Sequence, residues 1–263
     1  MGRCAVSSNR KRASTMSYER FAFVYDLLME DVPYDKWIDR FIEMKNRYQV
    51  EGTKVLDVAC GTGEFTVRLA KRGFDVAGVD LSEEMLSIAR EKAEAAKVSI
   101  PFYHQNMMEL DMGELFDSIV IFCDSLNYLQ DEKDVQMTFA KVYEQLQKGG
   151  LFMFDVHSVY KMEHIFANET FAHSEEEASY IWNSFEGEFP YSVEHELTFF
   201  VKDHESGLYE RFEEDHYQRT YPIDTYKMWL EAAGFTIKEV LGDLENEEPT
   251  TTSERILFVA MKE

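Results

Sequence analysis

Apolar positions recur along the chain with two different periods, and the change of period divides it. From Ser17 to Tyr48 the spacing is helical: Phe21, Tyr25 and Leu28, then Trp37, Phe41, Met44 and Tyr48, follow three- and four-residue steps. Pro33 separates two helices there, since proline has no N–H to donate and its ring collides with the preceding turn. Strand and helix patterns then alternate. Residues 54–59 form a short apolar strand, followed by a glycine turn and a helix over 64–72 that Gly73 closes as a C-cap. The next strand is 75–79. Ser82 followed by Glu83 and Glu84 reads as an N-cap with acids in the first turn, predicting a helix over 83–96. Further strands are predicted at 100–104 and 116–122, the second almost wholly apolar, as a strand buried on both faces should be. A helix over 131–146 is expected to end at Gly149 and Gly150, ahead of a fifth strand at 151–156.

Between 158 and 221 the rhythm becomes an aromatic-rich alternation, with strands expected at 179–186, 192–202 and 208–220. Gly187 and Pro190 separate the first two, and the stretch from Asp203 to Gly207 separates the next pair. At roughly sixty residues this is longer than an ordinary connection and reads as an antiparallel β insertion after strand five. A helix over 223–233, capped by Gly234, and strands at 235–241 and 256–261 complete the chain. The fold class that follows is α/β: a doubly wound, mostly parallel, seven-stranded sheet with helices on both faces. The organisation expected is an N-terminal helical lid (16–50), a core (51–157), the insertion as a substrate cap (158–221), and a final helix and hairpin (222–263). Residues 1–15 carry Arg3, Arg10, Lys11 and Arg12 and no acid or apolar run. They are expected to be a disordered leader ahead of a natural start at Met16.

Composition narrows the partners. The 263 residues are 45% hydrophobic, enough for one sizeable core and at most a small subdomain. Lys and Arg number 27 against 50 Asp and Glu, giving a net charge of -23. Setting aside the four leader cations leaves 23 against 50, or -27. A surface that acidic repels phosphate backbones and anionic membranes. Neutral or cationic small molecules remain compatible, and solubility accounts for the acidity equally well. Cys4, Cys60 and Cys123 form neither a disulfide framework nor a CxxC pair, which fits a reducing, cytoplasmic setting. His157, His164, His173, His195, His204 and His216 show no HxH or HExxH spacing, so no metal is expected.

The chemistry-bearing segment is Val55-Leu56-Asp57-Val58-Ala59-Cys60-Gly61-Thr62-Gly63-Glu64-Phe65, a strand running through two glycines into a helix. Glycine there lets the backbone approach a ligand, which should lie outside the carboxyl ends of the strands. A dinucleotide fingerprint would put a third glycine where Thr66 stands, so pyrophosphate is not called for. Asp80, ending the second strand, can accept both hydroxyls of a ribose.

The stretch VLDVACGTGEFTVRLAKRGFDVAGVDLSEEML resembles the S-adenosylmethionine (SAM) core of class I methyltransferases, and the resemblance spans roughly Tyr18 to Lys262. SYERFAFVYD near the start and DSLNYL after strand four are similar to the small bacterial methyltransferases of the YqeM type, a group with no firmly assigned substrate. The resemblance implies that Asp57 lies under the methionine moiety and that Ala59, Gly61 and Gly63 pass beneath the cofactor. It implies that Asp80 holds the ribose, that Leu81 and Met85 pack on the adenine, and that Asn106 and Met107, with Gln105 beside them, recognise its edge. Cys123 and Ser125 face the methyl group, Cys123 as a packed small residue or a thiol. Tyr128 lines the acceptor side, and Tyr25 or Tyr18 belongs to a lid or to the core.

Methyl transfer is an in-line displacement that asks the protein for alignment and dryness, and for a base only if the acceptor must lose a proton. His157 and Asp155, ending strand five, are the candidate bases, His157 the better because imidazole titrates near neutrality. His195, His216 and Arg219 in the insertion are structural, or shape the acceptor site if the insertion caps the pocket. The expected function is N- or O-methylation of a small-molecule acceptor, with S-adenosylhomocysteine as product. The alternatives are a SAM-binding regulator without turnover, an NAD-dependent oxidoreductase, and an RNA methyltransferase. Monomer and homodimer both remain open.

Overall fold

The computed structural model describes residues 32–204, 206–245 and 247–263; the leader, the first predicted helix, Tyr18 and Tyr25 lie outside them. Chain order runs α1 (Tyr34–Arg47), β1 (Lys54–Val58), α2 (Glu64–Lys71), β2 (Asp75–Asp80), α3 (Glu83–Ala96), β3 (Phe102–His104) and β4 (Phe116–Ile121). It continues through α4 (Glu132–Gln145), β5 (Leu146–His157), β6 (Glu169–Ser174), β7 (Ala178–Glu186), β8 (Ser192–Lys202) and β9 (Tyr209–Arg219). The last elements are α5 (Ile223–Ala233), β10 (Thr236–Gly242) and β11 (Arg255–Met261).

Seven strands form one sheet in the order β10-β11-β5-β4-β1-β2-β3. β1 to β5 pair in parallel, and β11 pairs antiparallel with both β5 and β10. Alternation along each strand sends side chains to opposite faces. Leu56, Val58, Phe152, Phe154 and Val156 join the core under α4 and α5. Val55, Leu151 and Met153 join the core under α1 and α2 with Trp37, Phe41 and Phe65. Ser82 caps α3 by accepting the Met85 N–H at 3.2 Å, and Gly234 ends α5 with φ 101°, as the sequence leads one to expect.

Two differences from the sequence expectation have physical causes. The Gly149–Gly150 pair does not end a helix: α4 passes directly into β5, which is 12 residues long. The pair sits in a register jump, where Phe116 faces Leu146 but Ser118 faces Leu151, and Gly149 takes φ 79° to absorb the extra residues. The insertion also holds one strand more than its pattern suggests. β6 is mostly exposed and has little apolar periodicity; the backbone ladder and the cross-strand ring pairs Phe171–Trp182 and His173–Tyr180 hold it to β7.

β6 to β9 form a separate antiparallel sheet in sequence order. Its inward face carries Ala178, Leu197, Phe199 and Val201, with Tyr180, Trp182 and Phe212 packed against them. The helical segment 159–166 sets Met162 and Phe166 against Val193 and Trp182. The chain leaves the first sheet after His157 and returns at Thr220, whose hydroxyl donates to the His157 carbonyl at 2.6 Å. Among the described residues, no helix is long and apolar enough to cross a membrane.

Gly78 in β2 tests this packing. A Cβ there would meet the Phe102 ring at 2.6 Å and the Cys60 sulfur at 2.9 Å. Gly78→Ala is therefore expected to cost about 1–3 kcal/mol in urea unfolding; an unchanged midpoint would contradict the packing described.

Candidate functional site

Strand order reverses between β1 and β4, and the turns after these two strands open onto one crevice at the carboxyl end of the sheet. Both turns are left-handed. Ala59, Gly61 and Gly63 have φ of 58°, 54° and 75°, and Cys123 and Asp124 have 56° and 52°. That conformation is unfavourable for residues with a Cβ, so each turn needs a holder. Asp80 holds the first: its carboxylate accepts the Gly61 N–H at 2.8 Å and the Ser82 N–H at 2.8 Å. Burial raises the Asp80 carboxyl, partly offset by those N–H groups.

Asp155 holds the second turn. One of its oxygens accepts the Cys123 N–H at 2.8 Å and the Trp37 indole N–H at 2.9 Å; the other accepts the Asp124 N–H at 3.1 Å and pairs with Arg255. Asp155 is fully buried and fully occupied, so the candidate base from the sequence is a structural anchor instead. Arg255 reaches on to Asp124 at 2.9 Å and lies over the Trp37 ring. Asp124 also receives Gln218 at 3.0 Å and His157 Nε2 at 3.2 Å. Burial works against ionisation of Asp124, but the Arg255 charge and the hydrogen bonds from His157 and Arg255 outweigh it and hold the carboxyl well below the usual range. Burial lowers His157 in turn, against the pull of Asp124. A carboxylate only accepts, so the neutral ring carries its proton on Nε2, and Nδ1 is left without a partner.

Asp57 lies on the same face of the sheet as Asp155 and differs in having no cation. Its partner is the buried Thr66 hydroxyl. Burial therefore pushes the Asp57 carboxyl up to about 7, and Asp80 adds to the rise. Thr66, at the third-glycine position, thus holds the acid that opens the turn.

A cavity of about 1040 Å³ fills the crevice. Of the residues singled out from sequence, Ala59, Gly61, Asp80, Leu81, Met85, Gln105, Asn106, Met107, Cys123, Ser125, Tyr128 and His157 line it. Asp57 does not: it borders a small adjoining cavity with Tyr34, Thr62 and Glu64, which shares Ala59, Cys123 and Ser125 with the large one. Gly63 lines neither, and its missing Cβ leaves room for Ala89 at 2.9 Å instead. Tyr25 lies outside the described residues. Gln105 is turned onto its own loop, with both amide atoms bonded to the Asp111 backbone at 3.1 Å. Asn106 accepts the Met108 N–H at 3.0 Å, which leaves its amide N–H groups free. Cys123 has its thiol raised well above the ordinary value by burial and by Asp155, which disfavours a thiolate.

The opposite wall comes from the second sheet: Phe171 on β6, Trp182 on β7, His195 and Leu197 on β8, and Glu214, His216 and Gln218 on β9. Period-two spacing on β8 and β9 gives His195, Leu197, Glu214, His216 and Gln218 one face, and that face lines the cavity. The Trp182 indole N–H donates to His195 Nδ1 at 2.9 Å, and burial keeps His195 down at about 4, hence neutral. The Tyr128 hydroxyl meets His216 Nδ1 at 3.2 Å, and His216 Nε2 meets Glu214 at 3.3 Å. Asn127, the buried residue before Tyr128, escaped notice in the sequence. It donates to the Arg219 carbonyl at 2.8 Å and accepts the His157 N–H at 2.9 Å, pinning the Tyr128 turn between the two sheets. Among the described residues, no group of three His, Cys, Asp or Glu is placed to hold a metal.

Residues 55–150 match the family described as a methyltransferase domain. A protein of Geobacillus sp. (strain WCH70) that carries a methyltransferase name is 55% identical over 249 residues, spanning 94% of this chain and 100% of its own length. YqeM of Bacillus subtilis (strain 168), also named as a methyltransferase, is 45% identical over 251 residues, 94% of this chain and 98% of that one. The crystal structure of a SAM-dependent methyltransferase from Clostridium acetobutylicum ATCC 824 superposes with a TM-score of 0.85 at 32% identity, covering 93% of this chain and 98% of that one.

Two stability predictions follow from the buried acids. Asp155→Ala strips the second turn of its acceptor and leaves Arg255 short of a partner. It should cost about 3–5 kcal/mol in urea unfolding, and a loss below about 1 kcal/mol would refute the anchoring role. Asp57 works with the opposite sign. With its carboxyl raised to about 7, it costs stability as pH climbs from the ordinary carboxylate range through neutrality. Asp57→Asn should thus raise the Tm by roughly 5 °C at pH 8 and by nothing near pH 4. An equal change at both pH values would show that the acid is not held this way.

Proposed function

The chain belongs to the SAM-dependent methyltransferases, and from that premise we propose that it methylates a nitrogen or oxygen of a small molecule held between the glycine turn and the second sheet. The observation that carries this reading is the continuity of the cavity. One space of about 1040 Å³ touches Gly61 and Asp80 on one side and Trp182, His195 and His216 on the other. Pockets for single drug-sized ligands run about 300–1,000 Å³, so this one has room for a nucleoside and an acceptor end to end.

The residues present fit the cofactor. Asp57 is a buried carboxylate with no cation beside it, and the small cavity it borders opens next to Ala59 and Cys123. A ligand bearing positive charge supplies what that site lacks. Asp80 keeps lone pairs for two ribose hydroxyls after holding Gly61 and Ser82. Leu81, 66% exposed at the cavity edge, and Met85 offer apolar cover for a base, with the Asn106 amide at its rim. We assign Tyr25, Asp57, Ala59, Gly61, Gly63, Asp80, Leu81, Met85, Gln105, Asn106, Met107, Cys123 and Ser125 to the cofactor half, Gly63 through the turn's shape and Gln105 through its loop.

Bound SAM supplies an electrophilic methyl on a sulfonium. The chain's own residues align the acceptor and keep water out. Phe166 packs edge-on against both His157 and His195, at 5.1 and 5.0 Å between ring centres, and helps dry the acceptor half. We assign Tyr128 and His157 to the acceptor, His157 as a ring on the cavity wall held through Nε2 by Asp124.

Isothermal titration of SAM tests the cofactor half: Asp80→Ala should weaken binding at least about 100-fold while circular dichroism stays unchanged. Retained affinity would overturn the ribose assignment. A SAM-consumption screen over amines, phenols, carboxylates and bulk RNA tests the acceptor half, and turnover confined to RNA would overturn it.

A further inference from the structure

Three titratable side chains form a hydrogen-bonded line on the acceptor side: Tyr128 Oη to His216 Nδ1 at 3.2 Å, and His216 Nε2 to Glu214 at 3.3 Å. Tyr128 comes from the turn after β4; the other two come from β9 of the second sheet. All three line the cavity. The order fixes the protons. Glu214 accepts, so His216 carries a proton on Nε2, and its Nδ1 accepts from the Tyr128 hydroxyl. The phenol oxygen is left with lone pairs toward the cavity, where Tyr128 is 49% exposed.

The charges around this line favour one acceptor class. Asp124 and Glu214 are the carboxylates that face Tyr128, and, after burial, both push its hydroxyl up. The cavity's cations are already matched: Arg255 by Asp155 and Asp124, and Lys161 by Glu254 at 3.4 Å. His195, directly across from His216 in the β8–β9 ladder, is neutral. Asp124 is matched by Arg255, which leaves Glu214 as the carboxylate without a cation: an anionic acceptor would be repelled by it, and an ammonium would find it and the Tyr128 and Trp182 rings.

We infer that the acceptor is an amine on an apolar frame, and that Tyr128, His216 and Glu214 form the path by which its nitrogen sheds a proton. This rests on the methyl-transfer reading above. The ammonium gives one proton to the Tyr128 oxygen as the phenol proton passes to His216 Nδ1, and the imidazolium so formed is stabilised by Glu214. The freed nitrogen lone pair then makes the N–C bond as the C–S bond breaks, and that bond's electrons stay on sulfur. His216 and Glu214, both partly exposed, return the proton to water. The titratable groups facing His216 are Tyr128 from the turn after β4, Glu214 on its own strand and His195 on β8.

Benzylamine, benzyl alcohol and phenylacetate, matched in ring and differing in the polar group, serve as probes. Titrated into the full chain saturated with S-adenosylhomocysteine, benzylamine should bind at least about tenfold more tightly than the other two, and Glu214→Gln should abolish that preference. With SAM present, product mass spectrometry should find methyl on the amine. Tyr128→Phe and His216→Asn should each lower kcat about 100-fold and move the acidic limb of the pH profile upward, with SAM affinity unchanged. No preference for the amine in binding, or pH profiles that stay put in both variants, would overturn the inference. Wild-type protein that fails to bind SAM would instead sink the reading on which it rests.

Discussion

A single buried carboxylate organises the crevice. Asp155 sits where β5 ends and joins α1 through Trp37, the turn after β4 through the Cys123 and Asp124 amides, and β11 through Arg255. Each partner gains something it lacks. Two consecutive left-handed residues gain acceptors for their N–H groups, a buried indole gains an acceptor, and a buried guanidinium gains a counter-charge. A buried ion pair is weak evidence of net stability by itself, because desolvation takes back much of the attraction. What this one supplies is uniqueness: few other arrangements satisfy all four partners at once.

From that anchor the polar connections run outward. Arg255 and Gln218 share Asp124, Gln218 lies on β9, and Asn127 ties the β4 turn to Arg219 and His157. The second sheet is therefore fixed against the first by buried hydrogen bonds at the cavity floor as well as by the Phe166 and Trp182 packing. The two halves of the cavity contrast in charge. The side below the glycine turn holds Asp57, a carboxylate without a cation, whereas the floor holds carboxylates already matched by Arg255. Positive charge is thus drawn to Asp57, and on the opposite wall to Glu214, rather than to the floor carboxylates that Arg255 already matches.

Much of this is legible in the sequence, and the exceptions are instructive. The alternation of strand and helix, the caps at Ser82 and Gly234 and the turn Asp57–Gly63 all follow from local pattern, because local backbone preference and burial agree there. Gly149 and Gly150 mislead because glycine serves a strand bulge as readily as a helix stop. β6 hides because an exposed edge strand needs no apolar period. At the site, Gly61 and Asp80 are readable from spacing, and Asp155 is readable as important but with the wrong role, since its partners Trp37 and Arg255 lie 118 and 100 residues away. Asn127 and Gln218 carry no sequence signal: their meaning comes wholly from the contact between two sheets.

The hydrogen bond from Thr220 to the His157 carbonyl has a consequence for how such proteins diversify. Exit and return of the intervening chain meet at one point, so its covalent path closes there, and its polar contacts with the core gather at Gln218 and Arg219 beside that point. Closing a flexible loop depends weakly on its length. The segment between these residues can consequently be lengthened, trimmed or exchanged for a different wall, while the glycine-turn half of the crevice stays as it was. A different wall facing the same crevice then becomes accessible without rebuilding the glycine turn, so long as positions 218 and 219 keep their contacts.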